Sequence, residues 1–284
     1  MGKLQDRMRR DMELKNFSPR TIQTYLCWMK RFVIYHGSTP EDLGDEDIRR
    51  YLHSIVMEGR ASQSSVNQAY SALRFFYKVS LGREWDVVRI PRAKVEKRLP
   101  VVLSADEVRK VFAEIRNLKH RTIVMTLYSG GLRLGEALRL KVGDIDSERM
   151  LIHVRQGKGH KDRYTILGKR TVEMLRIYWE VYRPKEWLFP STSLNQPLSP
   201  SSVQKVFRKA LQEAGITKKA SVHTLRHSFA THLLEAGTDL FYIQKLLGHT
   251  TARTTAIYLH VTRKDIKGVK SPIDLIEGME KAVM

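Results

Sequence analysis

From Ile90 to Pro100 the chain reads IPRAKVEKRLP, a charged stretch bounded by prolines and lacking hydrophobic periodicity. Such a stretch reads as an interdomain linker. A chain of 284 residues divided there builds two cores rather than one, and its 42% hydrophobic content can supply both. The expected boundaries are a helical domain over 1–88, a linker over 89–100 and a second domain over 101–284.

From Leu4 to about Gly82 the apolar residues recur at helical spacing, with helix starts at Ser18-Pro19, at Thr39-Pro40 and around Gly44-Asp45. Four helices follow. Ile22, Tyr25, Leu26, Met29 and Phe32 form one stripe, and Val66, Tyr70, Leu73, Phe76 and Tyr77 another. The lone cysteine, Cys27, lies in this amphipathic stretch and is expected in the core; a single cysteine excludes an internal disulfide and a cysteine-cluster zinc site, in keeping with a reducing cytoplasm. The second domain opens with a capping box, Ser104 and Glu107, and a helix to about Ile115. A helix from Lys119 stops at Gly130-Gly131, and a third holds Gly135 to Leu140. Met150–Val154 and Tyr164–Leu167 read as two strands around a loop. Helices return from Arg170, interrupted between Pro184 and Pro200. The fold class is therefore mainly α with a small β-sheet in the second domain.

Fifty Lys plus Arg against thirty Asp plus Glu leave a net charge of +20, the balance of a polyanion binder. DNA, RNA, an anionic membrane and the ribosome all fit that charge, although the chain lacks the nearly pure Lys/Arg tails of ribosomal proteins. The start, MGKLQDRMRRD, has no apolar run for a signal peptide, Asp6 stands where a myristoylation signal wants Ser or Thr, and no stretch of about eighteen apolar residues predicts a membrane span. Between the N-terminal stripes lie Arg20, Lys30, Arg31, Arg49, Arg50, Arg74 and Lys78, and around the linker Arg89, Arg92, Lys94, Lys97 and Arg98. Each faces either phosphate or water.

Four segments carry chemistry. In SGGLRLGEALRL, Ser129 to Leu140, two glycines release the chain and Arg133 begins the next helix, where amides favour an anion; alternatively Arg133 is a surface charge paired with Glu136. The loop GKGHKDR, Gly157 to Arg163, lacks the spacing of a nucleotide P-loop, so nucleotide hydrolysis is not expected. A lysine at such a tip can protonate a leaving group; Lys158 has that place and Lys161 is its rival. In HTLRHSFATHLLEAG, His223 and Arg226 share one face near a helix start. His223 and His227 have zinc-pair spacing without the Glu of HExxH, so no metal is expected, and His227 and His232 read as packing or surface residues. In LLGHTTARTTAIYLHV, Gly248 ends a helix, His249 is expected exposed beyond it, and Tyr258 taken alone reads as core.

GLRLGE with Arg133, GKGHKDR with Lys158, HTLRH with His223 and Arg226, LLGH with His249 and TTAIYLHV with Tyr258 stand in this order in one chain. That combination resembles the tyrosine recombinase (phage integrase) family over nearly the whole sequence, and most closely its Xer and integron integrase members. Between Trp187 and Ser202 only a short connector stands where integron integrases carry an extra segment, so a duplex target is expected. The resemblance implies a two-domain C-shaped clamp, in which an N-terminal four-helix SAM-like core-binding domain joins a catalytic domain ending in a tail helix. It implies Tyr258 as nucleophile, Arg133 and Arg226 as phosphate clamps, Lys158 as acid, His249 as a further donor, His223 as acceptor of the tyrosine proton and Glu136 as support for Arg133. Arg20, Arg74, Arg92, Lys94, Lys97, Lys161 and Arg163 are expected on DNA. No metal, cofactor or ATP is implied. The expected partners are double-stranded DNA, three further copies in a cyclic tetramer and an accessory or directionality protein, in the cytoplasm at the nucleoid and without a membrane. Ile276, Met279 and Val283 recur at helical spacing in the tail, which would dock on a neighbour or cap its own chain. A monomeric topoisomerase that relaxes DNA and a non-catalytic DNA-binding protein are the competing expectations.

Overall fold

The computed structural model describes residues 2–58, 62–85, 90, 92, 99–155, 162–192, 196–249 and 251–260. The chain divides into two compact units, 1–97 and 98–284.

The first unit is built from α1 (Gly2–Leu14), α2 (Pro19–His36), α3 (Asp45–Met57) and α4 (Gln63–Phe75). Ser18 caps α2 by accepting from the Thr21 amide, Pro19 occupies its first turn, and Gly37 at φ 65° ends it. Met8, Met12, Met29, Phe32, Ile48, Tyr51, Val66, Tyr70 and Leu73 meet in the core. After α4 the chain widens into a π turn, Phe76–Ser80, closed by Leu81 N–H to the Phe76 carbonyl at 2.9 Å. Phe75, Phe76 and Tyr77 are buried in succession where this wider turn begins. Cys27 is exposed, contrary to expectation. It follows buried Leu26 by about 100° of rotation, which turns it away from the stripe of Ile22, Leu26 and Met29. Arg20, Arg74 and Arg92 are on the surface, and Arg92 Nε donates to Asn67 Oδ1 at 3.3 Å. Lys94 and Lys97 lie outside the described residues.

The second unit contains α5 (Ala105–Glu114), α6 (Leu118–Ser129) and α7 (Leu134–Leu138). An antiparallel sheet follows, of order β1 (Ile145–Asp146), β2 (Leu151–Val154) and β3 (Arg163–Ile166), with Ile145 opposite Ile152 and Val154 opposite Arg163. Two strands were expected; β1 is too short to show alternation in sequence. Then come α8 (Lys169–Tyr182), α9 (Pro200–Glu213), α10 (Val222–Glu235), α11 (Leu240–Leu247), α12 (Ala252–Thr255) and a 3-10 turn, Ala256–His260. The capping box of α5 is formed, with Ser104 N–H on Glu107 Oε2 at 2.7 Å. One core gathers Leu103, Val111, Ile123, Leu127, Ile152, Phe189, Phe207 and Leu225; a smaller cluster, of Phe229, Ala230, Ile243, Leu247 and Tyr258, lies beside it. Among the described residues no helix is long and apolar enough to cross a membrane. The tail with Ile276, Met279 and Val283, and the loop with Lys158 and Lys161, lie outside the described residues.

Candidate active site

The Gly130-Gly131 break is set by close packing. Gly131 has φ 58°, and a Cβ there would stand 2.3 and 2.5 Å from the Phe229 ring. Only glycine fits. Its carbonyl accepts from Arg226 Nη1 at 2.7 Å. Gly131→Ala is expected to cost about 2 kcal/mol or more from overpacking and left-handed strain, seen as a thermal midpoint several degrees lower. An unchanged midpoint would show that Phe229 can move aside.

Arg133 then caps α7. The Glu136 carboxylate accepts the Arg133 amide at 2.8 Å and its Nη1 at 2.7 Å, so the two alternatives for this pair hold together: Arg133 opens the helix and is paired with Glu136. From β3, Arg163 adds a bidentate pair to the same carboxylate, at 3.0 and 2.8 Å. Arg226 Nη1 lies 3.8 Å from it. One side chain, 3% exposed, thus organises three guanidinium groups. Burial pushes the Glu136 carboxyl up, but the hydrogen bonds and charge of Arg163, then of Arg133, outweigh it and hold the group at about 2.

Arg163, expected on DNA, turns inward instead and is 10% exposed. Alternation along β3 puts it on the same face as buried Thr165, while Tyr164 and Ile166 face out. Its Nε donates to the Leu246 carbonyl at 2.9 Å, and its Cδ lies 2.8 Å from where a Gly248 side chain would begin. Arg226 Nη2 donates to the Leu247 carbonyl at 2.5 Å. Two arginines therefore hold the C-terminal carbonyls of α11, the negative end of that helix. Gly248, at φ 63°, turns the chain so that His249 follows. His249 is half-buried rather than exposed, with Nδ1 2.9 Å from Thr255 Oγ1. Burial and the charges of Arg226, Arg133 and Arg163 push it down to about 4.

On α10, Arg226 is 2% exposed, and burial with repulsion from Arg133 pushes it down to about 9, still charged at neutral pH. His223, one turn earlier, is exposed at its edge; partial burial and the charges of Arg226 and Arg133 hold it below the usual histidine range. The Tyr258 ring is 1% exposed, within the small apolar cluster, and its hydroxyl is 3.1 Å from His227 Nδ1. Burial raises the Tyr258 hydroxyl, and Arg226 and Arg133 are close enough to oppose that rise. His227 and His232 both pack against a tyrosine, His227 as the partner of this hydroxyl and His232 with Nδ1 2.7 Å from the Tyr128 hydroxyl. His223, expected to accept the Tyr258 proton, meets the His227 ring edge to face at 4.8 Å.

The strands flanking the Lys158 loop are anchored by Arg155 Nε on Asp144 at 2.6 Å and by His153 Nε2 on Asp162 at 3.3 Å. Tyr164 stacks on His153 at 4.8 Å. Three guanidinium groups gather on one carboxylate near a buried tyrosine hydroxyl, an arrangement chemically able to hold an anion next to a nucleophile. Among the described residues no group of three His, Cys, Asp or Glu side chains converges as a metal site.

Residues 101–265 match the phage integrase family, and residues 4–87 its N-terminal SAM-like domain. The Sinorhizobium fredii integrase/recombinase-type protein y4qK is 42% identical over 277 residues, 97% of this chain and 90% of that protein. Tyrosine recombinase XerA of Thermococcus onnurineus is 36% identical over 273 residues, 94% of each chain. Among solved structures, XerA recombinase aligns over 100% of this chain and 99% of its own, with TM-score 0.53 and 29% identity. A lambda integrase tetramer bound to a Holliday junction shares the fold, with TM-score 0.73 over 95% of this chain and 79% of that one, at 22% identity. The chain, with its buried tyrosine beside paired arginines, belongs to the phage integrase family of tyrosine recombinases.

Proposed function

We propose that this recombinase cuts and rejoins duplex DNA at a fixed site through a 3′-phosphotyrosyl intermediate on Tyr258. The observation that carries the assignment is the linkage of Tyr258 to the arginines: its hydroxyl rests on His227, the neighbour of Arg226, and Arg226 shares Glu136 with Arg133. A bond from Tyr258 Oη to phosphorus forms as the bond to O5′ breaks. The tyrosine proton passes to a base, and O5′ takes one from the Lys158 ammonium; His223 is the base that the family resemblance implies. Arg133 and Arg226 stabilise the charge on the non-bridging oxygens. With Nδ1 accepting from Thr255, His249 presents Nε2–H as a further donor. The phosphodiester energy stays in the protein link, so the reaction runs without ATP or metal. Glu136 and Arg163 hold the clamps in place.

Arg20, Arg74 and Arg92 supply surface charge for the DNA backbone, in keeping with the net +20. Exchange between two sites takes four subunits, and the lambda integrase tetramer on a Holliday junction supports that assembly here. The tail would dock on a neighbouring copy, and an accessory protein would set direction, in the cytoplasm at the nucleoid.

A nicked suicide duplex, whose short 5′-hydroxyl strand diffuses away after cleavage, traps the intermediate. The expected result is a covalent adduct on the DNA 3′-phosphate, with one sequence enriched among captured fragments. Linkage to a 5′-phosphate, or no adduct on a library of duplexes, would overturn the assignment. Relaxation of plasmid without recombinant product would favour a monomeric topoisomerase.

A further inference from the structure

We infer that His227 is a positioning residue for the nucleophile, its neutral Nδ1 accepting the Tyr258 hydroxyl hydrogen and aiming the oxygen lone pairs at the phosphate. This rests on Tyr258 being the attacking group. Arg226 and His227 are consecutive on α10 and so point about 100° apart. The first reaches the Gly131 and Leu247 carbonyls, the second the 3-10 turn that carries Tyr258. One helix thus sets clamp and nucleophile together, and a single hydrogen bond fixes the remaining freedom of the hydroxyl. A hydroxyl buried with its ring at 1% exposure has no bulk water to orient it. The imidazole is suited to accept. Burial, His223 and Arg226 push it down to about 4, so it is neutral at physiological pH with a lone pair available on one nitrogen. The hydroxyl hydrogen leaves this bond for the base as the bond to phosphorus forms, so His227 orients the oxygen in the resting site.

A tyrosine–histidine hydrogen bond is not by itself a sign of function. The same helix carries a second one, His232 with Tyr128, in a purely packed setting. What distinguishes His227 is that it directly follows Arg226, whose Nη1 lies 3.8 Å from the Glu136 carboxylate that Arg133 shares, so its tyrosine is held beside those arginines. The second pair therefore supplies the control.

Single-turnover cleavage of the suicide duplex by full-length protein tests the inference, read together with DNA affinity and thermal midpoint. Asn places an acceptor oxygen near the position of Nδ1, whereas Ala and Phe do not. His227→Ala and His227→Phe are expected to cleave about 10- to 100-fold more slowly, as a misaimed reacting group does, with DNA affinity unchanged. His227→Asn is expected to recover most of that loss, and Tyr128→Phe to cleave at the wild-type rate. A wild-type rate in His227→Ala would overturn the inference. So would a faster one, which would show that the hydrogen bond stores the tyrosine away from its target. A folded His227→Asn as slow as His227→Phe would also overturn it. If wild-type protein forms an adduct that persists in Tyr258→Phe, the nucleophile assignment fails instead, and the two failures are told apart.

Discussion

Phenylalanine at position 258 is expected to abolish covalent capture of DNA while leaving the protein folded and able to bind. The variant removes one oxygen. The ring keeps its place against Phe229, Ala230, Ile243 and Leu247, so the apolar cluster is intact. The lost hydrogen bond to His227 is worth about 1 kcal/mol net, a small change in thermal midpoint for a unit of this size. Catalysis has no such reserve, because the oxygen is the atom that would bond to phosphorus. Suicide-substrate adducts on denaturing gels check the loss, and gel shift checks the binding. Adducts formed at the wild-type level would remove Tyr258 from the mechanism, and binding lost together with cleavage would mean that the tyrosine serves the fold.

Glu136→Gln is expected to be the most destabilising single change in the site. Among the described residues its carboxylate is the only acidic group paired with Arg133 and Arg163, and Arg226 lies 3.8 Å away at 2% exposure. Removing one member of a buried ion network leaves the others desolvated and unpaired, at a cost of roughly 3–5 kcal/mol. A thermal midpoint lower by about 10 °C follows for this size of unit. Activity falls as well, since Arg133 loses the partner that aims it. The pH dependence has a definite sign. The folded group titrates near 2 against an ordinary 4.5, so its stabilisation is fully present above about pH 4.5 and is lost as pH falls toward 2. The depression corresponds to about 3 kcal/mol. Acid unfolding of wild type followed by circular dichroism should steepen in that window, and Glu136→Gln should lack the component. Equal acid sensitivity in the two proteins would place the stabilising charge elsewhere.

Local features of the chain were readable before any tertiary contact was known. The Ser104–Glu107 capping box, the N-terminal helices and the Gly130-Gly131 break depend on neighbours three or four residues apart or on one backbone angle and stand where the pattern places them, except that the helix start expected at Thr39-Pro40 is only a turn, with Asp42 N–H on the Thr39 carbonyl, and the next helix begins at Asp45. Arg133 with Glu136 is of the same kind, an i, i+3 pair. Cys27 lies within a helical stripe yet is exposed, because an apolar residue inside such a stripe need not point along it. β1 is not legible in the sequence, because two residues carry no period.

The site divides along the same physical line. The family resemblance carried by motif order along the chain marks Arg133, His223, Arg226, His249 and Tyr258 as one constellation, and the charge balance marks an anionic polymer as partner. They did not tell which polar side chains turn inward. Arg163 and Lys161 read alike as basic residues of one hairpin, yet Arg163 is drawn onto Glu136 and the Leu246 carbonyl, partners far away in sequence. His227 resembles any half-buried histidine until the 3-10 turn brings the Tyr258 hydroxyl to its Nδ1. Periodicity specifies which face a residue occupies, whereas a buried charge or hydroxyl takes its role from the partner that satisfies it, and chain folding supplies that partner.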